Sequence, residues 1–203
     1  MKALLLVDIQ NDFCPGGALE VPEGDQVIPI ANRLMDQFEL VVATKDWHPA
    51  NHGSFAANHP WRRPGQVIEL DGLEQILWPI HCVQHSFGSE FARTLETDQI
   101  DKIFYKGTAP EIDSYSGFFD NGHRKATGLE AYLKEKGVKE LYVLGLAQDY
   151  CVKFTVLDAL QLGFDTYLIT DATRPVELKE GDGERALAEM KEKGANLIPS
   201  KAL

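Results

Sequence analysis

Short apolar runs recur along the chain. They are ALLLV at 3–7, ELVVAT at 39–44, KIFY at 102–105, ELYVLGL at 140–146 and DTYLIT at 165–170, with NLI at 196–198 as a sixth. Runs of this length with little polar alternation predict strands buried on both faces. Between them, Val27–Phe38, Gly128–Lys136, Tyr150–Leu162 and Gly183–Lys193 carry apolar residues at helical spacing. The last three are ended by Gly137, Gly163 and Gly194. Glycine just past the final turn stops a helix, because it adopts the left-handed conformation at little cost. Strands alternating with helices predict an α/β fold with right-handed crossovers. The expected form is three layers, α/β/α, around a mainly parallel, six-stranded, Rossmann-like sheet. The stretch 46–88 does not fit the alternation and reads as a long irregular loop. Loops of that length in compact domains tend to be functional.

Sheets of this kind bind ligands beyond the carboxyl ends of their strands. Asp8 follows the first predicted strand. Asp46, with His48 and His52, follows the second, Lys106 the third, and AQDYC, ending at Cys151, the fourth. Each has a plain structural reading by itself: a capping carboxylate, a polar turn, a solvated lysine and a small core cysteine. Placed together on one sheet edge, they make an acid/base, a cation and a nucleophile. Cys151 falls in the first turn of its predicted helix, where the helix dipole and free N–H groups lower a thiol pKa and stabilise an oxyanion. No histidine lies near it in sequence, so a papain-like pair has no local support.

Composition narrows the classes. The chain has 203 residues, 44% hydrophobic and 25% charged, which suits one domain spanning 1–203. The net charge is −11, and no Lys/Arg-rich run appears. Nucleic acid and anionic membranes are therefore poor partners. The opening MKALLLVDIQNDF has too short an apolar run for a signal peptide, and no stretch is long enough to span a bilayer. Three cysteines, Cys14, Cys82 and Cys151, make a disulfide framework unexpected and a cytoplasmic location with reduced thiols the simplest reading.

Five segments carry a resemblance: VDIQNDFCPGGAL at 7–19, DWHPANHGSF at 46–55, WPIHCVQHSFGSEF at 78–91, FYKGTAPEIDSYSGFFDN at 104–121 and GLAQDYCVKFTVLDAL at 145–160. In order and content the chain resembles the pyrazinamidase/nicotinamidase family of the isochorismatase-like cysteine hydrolases. The resemblance implies Asp8, Lys106 and Cys151 as catalytic residues, and the N–H groups of Ala147 and Cys151 as an oxyanion hole behind a cis Leu146–Ala147 peptide. It implies one divalent metal on Asp46, His48 and His81. His52 is an alternative to water as a fourth ligand. Zn²⁺ comes first, with Fe²⁺ and Mn²⁺ as alternatives. Phe13 and Trp78 would sandwich a pyridine ring, with Tyr115 and Tyr150 lining the same pocket. The expected activity is hydrolysis of nicotinamide to nicotinate and ammonia, extending to pyrazinamide. Another small carbamoyl or ureido amide, a vinyl-ether substrate and a non-catalytic metal-binding scaffold are the alternatives. A homo-oligomer is left open. The resemblance departs at Gln148, where relatives often carry Thr. His59, His85 and His123 read as loop or surface residues.

Overall fold

The computed structural model describes residues 1–203. Strands β1 (Lys2–Val7), β2 (Val41–Asp46), β3 (Val67–Leu70), β4 (Leu73–Ile76), β5 (Lys102–Lys106), β6 (Glu140–Leu146), β7 (Asp165–Arg174) and β8 (Asn196–Ile198) alternate with helices α1 (Val27–Met35), α2 (Leu129–Glu135), α3 (Lys153–Gln161) and α4 (Asp182–Glu192). Six strands form one parallel sheet in the order β5-β2-β1-β6-β7-β8. The expected fold class is the observed one.

Residue alternation explains the layers. In β1, Ala3, Leu5 and Val7 enter one core with residues of α2, α3 and α4, while Leu4 and Leu6 enter another with residues of α1. Both faces of the strand are covered, which is why its sequence is apolar throughout. The strand order reverses direction between β1 and β6. At such a switch point the loops leave to opposite sides and open a crevice at the carboxyl edge.

Three differences from the sequence reading have local causes. Strand β2 runs on through Lys45 to Asp46, with Asp46 in register with Lys106. Its charged end looked like loop because the partner that neutralises Asp46 lies on another strand. Helix α1 stops at Met35, short of Phe38, because the chain tightens: the Gln37 and Phe38 N–H groups reach back three residues, to Leu34 and Met35. The irregular stretch contains the hairpin β3–β4, joined by Asp71-Gly72, both at positive φ. Asp-Gly between alternating apolar residues is a strong hairpin signal, and the sequence reading passed over it. No helix is long and apolar enough to cross a membrane.

Candidate active site

Asp8 is the first residue past β1. It is fully buried, with φ +48. Thr44 Oγ donates to its Oδ1 at 2.6 Å. Its Oδ2 lies 2.8 Å from Lys106 Nζ but accepts no well-aligned hydrogen bond, so one lone pair remains for a proton. Lys106 closes β5, buried. Its ammonium ion-pairs with Asp46 as well as Asp8, donates to the Ser114 carbonyl at 2.9 Å, and sits 3.4 Å from Cys151 Sγ. The Asp8 and Asp46 carboxylates and the Cys151 sulfur lie within 4.8 Å of one another.

Burial acts on every member of this cluster. It pushes the Asp8 carboxyl up from its ordinary value, with Lys106 opposing and Asp46 adding to the rise. Burial alone would lower Lys106, but Asp46 and Asp8 outweigh it and hold the ammonium well above its usual range. Cys151 is pushed well up, first by burial and then by Asp8 and Asp46, with only Lys106 pulling down. A dry environment and two carboxylates thus oppose the lowering expected from the helix terminus. The resting group is a thiol that needs a nearby base.

Cys151 sits in one wide turn, Gln148–Val152, that leads into α3. The turn begins two residues before the predicted helix start, with Val152 N–H reaching back to the Ala147 carbonyl at 3.1 Å. Gln148 and Asp149 read as loop because their polar side chains are buried against another segment. The Leu146–Ala147 peptide is cis.

Asp46, His48 and His81 converge on the other side of Asp46. His48 Nε2 is 3.6 Å and His81 Nε2 3.8 Å from Asp46 Oδ2. Their Nδ1 atoms lie 2.8 Å from the carbonyls of Gly107 and Pro79. A carbonyl can only accept, so both Nδ1 atoms carry a proton, which leaves Nε2 of each ring as the atom turned toward the carboxylate and available to a cation once deprotonated. Backbone support of this kind holds metal-ligating imidazoles in place. Burial, then the neighbouring His48, lowers His81 to about 4, which keeps it neutral. Burial would raise Asp46, but Lys106 and His48 hold it well below the carboxylate range. The trio fits a divalent cation by donor type and tautomer. Gly107 is required beside it: at φ +62, a Cβ there would meet the His48 ring at 2.3 Å.

His52 is placed differently. Its donor atoms group with His48 and Asp113. Its Nδ1 lies 2.7 Å from Ser54 Oγ and 3.2 Å from the Ser54 backbone nitrogen, and its Nε2 is buried without a hydrogen-bond partner.

Cys151, Asp46 and His81 line a cavity, partly open to solvent, whose walls include Phe13, Trp78, Tyr115, Tyr150 and Val176. All four aromatic residues expected in the pocket line it. Trp78 Nε1 donates to Tyr115 Oη at 3.1 Å, and the Tyr150 ring meets the indole edge-on at 4.9 Å. Cys14 and Cys82 are free thiols outside this lining. The sequence reading missed Asp113, which is buried in the pocket wall, Gln75 on β4, which donates to Asp113 and Tyr115 at 3.1 Å, and Gln10. Gln10 and Asp113 lie inside the quoted segments, but nothing local marks them, since their partners are far away in sequence.

The isochorismatase-domain family model matches residues 2–202. The chain is 54% identical over 203 residues to a nicotinamidase of Escherichia coli, covering 97% of this chain and 93% of the relative. Among solved structures it is similar to an Acinetobacter nicotinamidase/pyrazinamidase at 46% identity and a TM-score of 0.96, covering 99% and 97% of the two chains. A pyrazinamidase of Pyrococcus horikoshii in complex with zinc matches at 42% identity and a TM-score of 0.79, covering 98% of each. The chain belongs to the isochorismatase-domain family, within its nicotinamidase group.

Proposed function

We propose that the chain hydrolyses nicotinamide to nicotinate and ammonia through a thioester on Cys151. The observation that carries this reading is a single cavity with the Cys151 thiol, beside Asp8 and Lys106, at one side and the Asp46–His81 donor set at another. A flat heteroaromatic carboxamide offers one group to each: its carboxamide to the thiol and its ring nitrogen to the donor set.

Asp8 takes the thiol proton as sulfur attacks the carboxamide carbon. The carbonyl oxygen becomes an oxyanion, which the N–H groups of Ala147 and Cys151 receive. Asp8 returns its proton to the departing nitrogen, ammonia leaves, and the acyl group remains on sulfur. Water then gives a proton to Asp8 and attacks the thioester carbon. The C–S bond then breaks, Asp8 returns that proton to the departing Cys151 sulfur, and the acid product leaves and ionises to the carboxylate. Lys106 keeps its charge throughout and offsets whichever of Asp8 and the sulfur is negative. This is general acid–base and nucleophilic catalysis by one carboxyl and one thiol.

Asp46, His48 and His81 would hold one divalent cation, with Zn²⁺ the first candidate and Fe²⁺ and Mn²⁺ the others. When bound it would supply a Lewis-acidic position for the pyridine nitrogen, which is meta to the ring carbon that bears the carboxamide. Phe13 and Trp78 hold the ring plane.

The test is ammonia and nicotinate release from nicotinamide by protein loaded with Zn²⁺, Fe²⁺ or Mn²⁺. Stoichiometric products support the reading. No turnover with any of the three overturns it.

A further inference from the structure

Gln148 and Asp149 immediately precede Tyr150 and Cys151 in the wide turn, and both are buried. Their side chains leave the turn and reach residues 175–183, which are the connection from β7 to α4 together with the first two residues of α4. The two oxygens of Asp149 accept the N–H groups of Val176 and Glu177, each at 2.9 Å. Gln148 Nε2 donates to the Gly183 carbonyl at 2.9 Å. The segment is therefore tied near both ends to the two residues before the nucleophile's neighbour.

The segment is also closed on itself. Glu177 has φ +57, and its carboxylate accepts the N–H groups of Gly181 and Gly183. Gly183 has no room for a side chain, since a Cβ there would lie 2.8 Å from Pro175 Cγ and 3.0 Å from the Glu177 carboxylate. Val176, between these ties, lines the cavity that holds Cys151.

We propose that Gln148 and Asp149 are positioning residues that set the width of the substrate pocket, by fixing Val176 at a constant distance from the nucleophile. This rests on the reading of the cavity as a pyridine-carboxamide site. A buried carboxylate that accepts two backbone N–H groups, and a buried amide bonded to a carbonyl, are costly to disturb, because each lost partner leaves a desolvated polar group. The turn and the strap consequently move as one body. Apolar pockets discriminate by single methylenes at roughly 10–200-fold. A small retreat of Val176 is therefore read out as tolerance of a substituted ring. Gln148, where the family resemblance departs, acquires a role: it anchors the far end of the strap.

The experiment compares kcat/KM for nicotinamide and for its 4-, 5- and 6-methyl derivatives in wild type, Val176→Ala, Gln148→Met and Asp149→Asn. Val176→Ala widens the wall directly and should raise one methyl isomer relative to nicotinamide by roughly tenfold. Gln148→Met removes the donor at similar length, and Asp149→Asn removes one acceptor. Both should favour the same isomer as Val176→Ala, through KM more than kcat. If the two variants depress all four substrates equally, favour a different isomer or leave the ratios unchanged, the proposal is overturned. Should Asp149→Asn fail to fold, Gly183→Ala, which crowds the same strap, takes its place. A second measurement does not depend on nicotinamide turnover. Alkylation of Cys151 by iodoacetamide and by N-phenylmaleimide, followed on its peptide by mass spectrometry, should show the bulky reagent gaining on the small one in both variants. An unchanged ratio counts against the strap. Wild type that hydrolyses no nicotinamide but shows this gain would overturn the proposed function and keep the strap.

Discussion

Gln10 holds the backbone of Asp46 from both sides. Its Oε1 accepts the Asp46 N–H at 2.8 Å, and its Nε2 donates to the Asp46 carbonyl at 2.9 Å. A second bond from Nε2, to the Ser89 carbonyl at 2.9 Å, ties in the loop before the Phe91 bridge. One amide thus does for Asp46 what a neighbouring strand would do, and the carboxylate is aimed before any cation arrives. Gln10→Ala strands three buried backbone groups, each worth about 1–3 kcal/mol when left unpaired. The expected result is a loss of about 2–4 kcal/mol after partial relaxation and water entry, measured by urea denaturation, with weaker metal retention on dialysis. Unchanged stability and metal content would show that Gln10 does not position Asp46.

Cys151→Ala should abolish ammonia release and leave the fold intact, since it removes only a sulfur atom. Cys14→Ala and Cys82→Ala should retain far more activity, because neither thiol lines the cavity. The check is ammonia release together with circular dichroism of each variant. Equal loss in either of the other two would unseat Cys151.

Asp8→Asn should lower kcat by roughly 10²–10⁴-fold, the usual range for a general acid–base group, since an amide cannot accept the thiol proton. The pH profile gives an independent check. Burial raises the Asp8 pKa, so the base form exists only above a value higher than that of an ordinary carboxyl. kcat/KM should therefore fall as pH drops through that raised value, with the acid limb lying above the normal carboxylate range. An acid limb at or below pH 4 in wild type, or its persistence in Asp8→Asn, would assign that limb to another group.

Chelation and Asp46→Ala should each depress nicotinamide hydrolysis strongly, because lost orientation alone costs orders of magnitude in rate. Benzamide has the same carboxamide but no ring nitrogen. It should be a poor substrate and gain nothing from added Zn²⁺. Efficient, metal-dependent hydrolysis of benzamide would mean that the donor set serves the carbonyl rather than the ring.

Much of the fold was legible in the sequence because it rests on local information. The uninterrupted apolar runs of β1 and β6 can only be strands covered on both sides, and Gly137, Gly163 and Gly194 end their helices by backbone freedom alone. Asp8, Lys106 and Cys151 were legible by place, since a parallel sheet sends the carboxyl ends of its strands to one edge. What tertiary structure decided lies where partners are distant in sequence. Asp46 belongs to a strand because Lys106 neutralises it across the sheet. The Cys151 thiol is raised first by burial and then by the Asp8 and Asp46 carboxylates, which come from two other strand ends. His52 shares a motif with Asp46 and His48, yet its donor grouping is with His48 and Asp113, and its Nδ1 is taken up by Ser54. Gln10, Gln75, Gln148 and Asp149 carry no local signature because each bonds to groups 27 or more positions away. Electrostatics and hydrogen bonding act through space, and a one-dimensional pattern does not record distances between segments that the fold brings together.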